Sequence, residues 1–164
     1  MTQFLGTHQN RLDAKGRVSV PAPFRNLLKS QIETNNHGTQ LVLRPSHQHP
    51  CIEAWPPAEF EKLAQSLNTY DLFSEEHDDL ATALYAEAFP VESDKEGRIM
   101  LPETLVAHAG LTESVVFMGA GRIFQIWEPA AAERRRSEAR ERARVRGFTL
   151  HQAQARPAPA EVPA

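Results

Sequence analysis

Nine residues, Asp13-Ala14-Lys15-Gly16-Arg17-Val18-Ser19-Val20-Pro21, recur without a gap as Asp94-Lys95-Glu96-Gly97-Arg98-Ile99-Met100-Leu101-Pro102. Both copies place Asp first, Gly fourth, Arg fifth and Pro ninth, with apolar residues at the sixth and eighth positions. Each of these residue types answers a backbone demand. An Asp side chain accepts hydrogen bonds from backbone two residues on, and a glycine supplies the positive φ that closes a tight turn. Asp13 with Gly16, and Asp94 with Gly97, are therefore read as the turn-forming and orienting residues. Arg17 and Arg98 begin strands in which Val18 and Val20, or Ile99 and Leu101, alternate with more polar neighbours. Pro21 and Pro102 stop those strands and suit the first turn of a helix. Phe24, Leu27 and Leu28, and in the other copy Leu105, Val106 and Ala109, then follow at helical spacing, with Gly110 as a stop.

A second echo follows each first one. Leu41-Val42-Leu43 leads to Cys51-Ile52-Glu53-Ala54-Trp55-Pro56, and Val115-Val116-Phe117 leads to Ile123-Phe124-Gln125-Ile126-Trp127-Glu128-Pro129, each a strand, a turn and a strand ending at Trp. Units of about fifty residues are too small to bury a full core alone, so the two halves are expected to complete one shared core. Residues 3–12 and 87–93 are read as the first strands of the two hairpins. Between the copies, Pro56-Pro57 opens a helix with Phe60, Leu63, Ala64 and Leu67 on one face. Ser74 caps a second helix with Leu80, Ala83, Leu84 and Ala88 inside and Glu75, Glu76, Asp78 and Asp79 at the positive end of its dipole. Pro129 begins a last, Arg-rich helix to about Val145, with Glu138–Arg142 and Glu141–Arg144 pairs; the Ala/Pro tail beyond His151 reads as disordered. The expected divisions are 7–58 for the first repeat, 59–87 for the linking helices, 88–131 for the second repeat, and 132–164 for the Arg-rich helix and tail.

On the doubled Asp-x-x-x-Arg motif, with His49-Pro50-Cys51 and His108-Ala109-Gly110-Leu111, the sequence resembles the MraZ family over roughly residues 1 to 130. The resemblance implies an α+β fold in which two AbrB/SpoVT-like swapped-hairpin units form one β-barrel-like domain with linking helices. It also implies a bacterial transcriptional regulator, cytoplasmic and nucleoid-associated. Such a regulator recognises short direct repeats in double-stranded promoter DNA, in that family ahead of division and cell-wall genes, and assembles as a ring-shaped homo-oligomer such as an octamer.

Charge bears on that expectation. The chain of 164 residues has a net charge of −3, yet residues 1–52 carry +4, residues 53–113 carry −11 and residues 114–164 carry +4. Local basic surface, rather than total charge, attracts phosphate, so an acidic average does not exclude nucleic acid. A guanidinium beside a tight turn can enter the major groove and donate two hydrogen bonds to guanine O6 and N7. Arg17 and Arg98 are the candidates, with Arg11, Lys15 and Lys95 as further DNA contacts. The bland alternative is that each Arg pairs with the Asp four residues before it, and the two roles can coexist if the Asp orients the Arg. The first turn region (Arg11, Lys15, Arg17 against Asp13) is basic, whereas the second (Lys95, Arg98 against Glu92, Asp94, Glu96) is acidic, so the first is expected to dominate phosphate contact.

Other chemistries find little support. His47, His49 and Cys51 offer three of four zinc ligands, but Pro50 disturbs a strand and no fourth ligand is in reach, so a turn is the favoured reading and no metal or other cofactor is expected. No nucleophile triad order or phosphate-cradling glycine loop is present, so no enzyme is expected. One cysteine cannot form an internal disulfide, and neither a signal peptide nor a membrane span is read in the sequence. The rival function is a non-DNA assembly or adaptor protein.

Overall fold

A computed structural model describes residues 2–31 and 39–147. The two echoes become matching series of elements. The first half comprises β1 (Thr7–Arg11), β2 (Arg17–Ser19), α1 (Ala22–Ser30), β3 (Gln40–Pro45) and β4 (Ile52–Trp55). After α2 (Pro57–Gln65) and α3 (Glu75–Ala81), the second half repeats the order as β5 (Phe89–Glu92), β6 (Arg98–Met100), α4 (Glu103–Ala109), β7 (Ser114–Gly119) and β8 (Phe124–Trp127), before α5 (Pro129–Arg146).

The pairing is exchanged between halves. One six-stranded antiparallel sheet has the order β1-β7-β8-β4-β3-β5, and a separate ribbon pairs β2 with β6. Each first strand thus pairs with the other half's third strand, while the strand after each turn leaves for the ribbon. The two strands flanking a turn share no ladder, which corrects any simple hairpin picture: Arg11 faces Ser114 of β7, not Arg17. The registers are symmetric about Val18↔Ile99 at one end and Glu53↔Gln125 at the other. The duplication is therefore expressed as an approximate two-fold axis, and the ribbon bridges the sheet edges β1 and β5 to close a barrel-like layer.

Alternation explains what fills it. Val18, Val20, Ile99 and Leu101 point inward from the ribbon and are buried with Phe24, Leu28 and Leu105 of the two helices. Phe4, Phe24, Phe117 and Phe124 form the centre, with ring centroids 4.9 to 5.9 Å apart along the chain of contacts through Phe124. Gly110 ends α4 in the left-handed region at φ 62°, as its position after the last apolar residue predicts.

The linking helices are looser than their pattern suggests. Ser74 caps α3 by accepting from the His77 N–H, as expected. A 3₁₀ turn (Ser66–Thr69) follows α2, and a π-helical turn (Thr82–Ala86) follows α3. Phe60, Leu63 and Ala64 are only half-buried; Leu67 and Leu84 are buried, but Leu80, expected inside, is 41% exposed. The rotation introduced by the π turn moves the apolar stripe off the face that a regular helix would present.

α5 is held at its start. Glu128, not foreseen as a cap, accepts from the Ala130 and Ala131 N–H groups, and Ala132 is buried beside Cys51, Val116 and Trp127. Beyond that turn its ion pairs include Glu141–Arg144 at 2.6 Å, as expected, Glu133 with Arg136, and Glu133 with Arg140 at 4.0 Å; the expected Glu138–Arg142 pair is not among those formed by the described residues. The expected disordered tail lies outside the described residues.

Candidate nucleic-acid interface

Each turn is built by its own aspartate. Asp13 Oδ1 accepts from the backbone N–H of Lys15 at 2.9 Å and of Arg17 at 2.8 Å, and the Gly16 N–H donates to the Asp13 carbonyl at 3.0 Å. Asp94 repeats the pattern with Glu96 at 2.9 Å and Arg98 at 3.0 Å, and Gly97 donates to the Asp94 carbonyl at 3.1 Å. Gly16 and Gly97 sit at φ 82° and 79°, where side-chain-bearing residues are strained. The backbone N–H of Arg17 hydrogen-bonding to Asp13 leads the causes that hold that carboxyl below its ordinary value; the Arg98 N–H does the same for Asp94.

The second aspartate oxygen orients the arginine. Arg17 Nε donates to Asp13 Oδ2 at 2.8 Å, and Arg98 Nε donates to Asp94 Oδ2 at 2.9 Å. The side chains of Arg17 and Arg98 remain 31% and 32% exposed. The local ion pair and partial exposure are therefore present together: each Asp holds the Nε of its guanidinium, and about a third of each arginine side chain stays accessible.

The ribbon brings the two arginines to one face. Arg17 lies opposite Met100, and Ser19 opposite Arg98, while Val18 and Ile99 between them point into the core. With strand spacing near 4.8 Å and a two-residue offset, the two Cα atoms are about 8 Å apart on a diagonal. A two-stranded ribbon is of a size that a major groove admits. Lys15 and Lys95 are exposed in the turns; Arg11 is exposed at the end of β1, off the ribbon and beside the first turn.

The outer edges are not alike. Arg98 Nη2 meets Glu96 Oε2 at 2.5 Å, whereas the matching position in the first turn is Lys15, and no acid closes on the Nη groups of Arg17 among the described residues. The side-chain bond to Asp94, followed by the charges of Asp94 and Glu96, raises the Arg98 pKa. Another feature not foreseen is Arg25, on α1, which donates through Nη1 to the Glu96 carbonyl at 3.3 Å. The available signal was its alignment with Val106, a charge where the other copy is apolar.

Of the residues weighed as metal ligands, His47 turns to Arg44 (Nη2 to Nε2, 3.1 Å), which also pairs with Glu53 at 2.9 Å. The His49 ring lies 5.7 Å from that of Trp127, and Cys51 is buried. Burial pushes the Cys51 thiol up to about 12. The β3–β4 turn that carries them is organised by Ser46, whose hydroxyl accepts from the N–H groups of Gln48 and His49. No helix among the described residues is long and apolar enough to cross a membrane.

A family model described as "MraZ protein, putative antitoxin-like" matches residues 3–82 and again 84–145. The chain is 65% identical over 144 residues to a transcriptional regulator MraZ of Gluconacetobacter diazotrophicus, covering 88% of this chain and 90% of that one. A regulator of the same name from Gluconobacter oxydans is 61% identical, with 88% and 87% covered. One from Rickettsia canadensis is 39% identical over 93% of this chain and 99% of its own length. With the duplicated unit, the exchanged strands and two family matches in tandem, the chain belongs to the MraZ family.

Proposed function

We propose that the chain regulates transcription by binding double-stranded DNA in a sequence-specific manner, with the first turn as its main reading head. Arg17 is the base-reading residue and Lys15 and Arg11 contact phosphate; Arg98 and Lys95 contribute less. The observation that carries this reading is Asp13 holding Arg17 Nε at 2.8 Å on the outer face of a two-stranded ribbon, with the side chain 31% exposed and its Nη groups in no ion pair among the described residues. That is the geometry needed for a fork of two donors to meet guanine O6 and N7. The names of the relatives support regulation of transcription.

One turn reads too few bases to select a promoter, so selectivity requires several copies on repeated short boxes, each added contact becoming effectively intramolecular. The proposal therefore includes self-association, as a ring-shaped homo-oligomer, and direct repeats as the target, in a cytoplasmic, nucleoid-associated protein that is not an enzyme. Selection of bound duplexes from a random pool tests it. Enrichment of short boxes at a fixed spacing is the expected result, and a pool that stays random while binding collapses at physiological salt would refute sequence recognition.

A further inference from the structure

The two halves differ where the helix meets the turn. Arg25, on α1 of the first half, lies over Gly97 in the second turn: a Cβ added to Gly97 would sit 2.1 Å from Arg25 Nη1. Gly97 is buried beneath it, and the Nη1 donates to the Glu96 carbonyl. The counterpart of Arg25 on α4 is Val106, since both donate their backbone N–H to the proline that opens their helix, Pro21 and Pro102. Valine is far too short to reach across. The first turn is left with an open groove of about 840 Å³, walled by Leu12, Ala14, Leu101, Val106 and Leu111. A Cβ on Gly16 would meet nothing nearer than the Leu101 carbonyl oxygen at 3.5 Å. Asp13, Lys15 and Glu103 border the groove, and Arg11 and Glu113 line the recess beside it.

We propose that this groove receives an arginine side chain from α5 of a second copy of the chain, which takes at the first turn the place that Arg25 takes at the second. The internal copy shows what such a groove holds: an aliphatic stem along apolar walls with the guanidinium on the turn carbonyl. Lys15 supplies the matching carbonyl, which accepts no hydrogen bond within the described residues. On the groove's border Asp13 is engaged by Arg17, while Glu103 and Glu113 form no ion pair among the described residues and are the carboxylates that would meet an arginine of α5. Arg134 and Arg142 of that helix are exposed and form no ion pair within 4.0 Å among the described residues. The donor is another copy's helix, because this chain's α5 is anchored on β7 through Ala132. The inference rests on the proposed self-association and names the contact that carries it.

Sedimentation velocity of the full chain tests the contact. Val106→Arg places the plug in cis, in an arrangement the fold already tolerates at Arg25, and is expected to shift the protein to smaller species at concentrations where the parent chain is assembled. Val106→Ala should leave assembly intact, and Arg134→Glu with Arg142→Glu should weaken it as Val106→Arg does, all with unchanged thermal melting of the monomer. An assembling parent whose Val106→Arg variant assembles equally well overturns the groove contact alone. Loss of assembly in Val106→Arg but not in the α5 variants overturns the arginine as occupant. A parent chain that stays monomeric at every concentration overturns this inference and the proposed self-association together.

Discussion

Arg17→Ala isolates the reading head. The substitution removes a guanidinium whose Nε is held at 2.8 Å by Asp13 and whose Nη groups meet no acid among the described residues. A bidentate arginine–guanine pair discriminates by about 1–3 kcal/mol, so specific affinity should fall about 5- to 150-fold for each turn engaged. The fold should survive, because the ion pair being lost is partly exposed, such pairs contribute little to stability, and Asp13 keeps its hydrogen bonds to the backbone N–H groups of residues 15 and 17. Arg98→Ala removes a guanidinium already engaged by Asp94 and, at 2.5 Å, by Glu96, so its effect on binding should be clearly smaller. Fluorescence anisotropy with a selected duplex and a scrambled one, at two salt concentrations, separates the outcomes: Arg17→Ala should lower the ratio of specific to scrambled affinity. Lys15→Ala should instead weaken both duplexes alike and lower the salt slope by about one. Equal losses from Arg17→Ala and Arg98→Ala, with both variants showing the parent's circular dichroism and melting, would refute the asymmetry argued from Glu96.

Other perturbations bear on the same structure. Glu96→Gln should free Arg98 and raise affinity for DNA of any sequence, measured by the same anisotropy titration; no gain would mean that the acid does not restrain that arginine. Asp13 and Asp94 titrate below the ordinary carboxylate value of 3.8 in the folded chain. Their stabilisation is therefore complete above that value and lost as pH falls through the depressed folded pKa values, and urea unfolding at stepwise lower pH should show a shallower acid decline in Asp13→Asn and Asp94→Asn. Phe124→Ala opens a void where Phe4, Phe24 and Phe117 meet and should cost about 3–5 kcal/mol in urea unfolding. Cys51, buried with its thiol pushed up to about 12, should resist aromatic disulfide reagents until the chain is denatured; rapid labelling of the native protein would contradict that burial.

Much of the fold was legible because duplicated residues face duplicated demands. Asp13, Gly16 and Pro21 with their counterparts marked the turns and helix starts, and the alternation of Val18, Val20, Ile99 and Leu101 marked the inward side of the ribbon. Glu96 was legible as a charge difference, though not as a ligand of Arg98. The looser linking segment was not legible, because periodicity assumes a regular helix and the π turn after Ala81 breaks that assumption.

The sequence alone thus determined the local chemistry: which residues turn, which strands alternate, and that two half-sized units must share a core, since each of those follows from neighbours along the chain. Which strand pairs with which is a contest among long-range partners, and only the tertiary structure decided that β1 joins β7 and β2 joins β6. That exchange places Arg17 and Arg98 on one face, lays Arg25 over the second turn, and leaves the first turn open. None of these follows from sequence spacing, because each depends on residues about seventy or more positions apart meeting across the approximate two-fold axis.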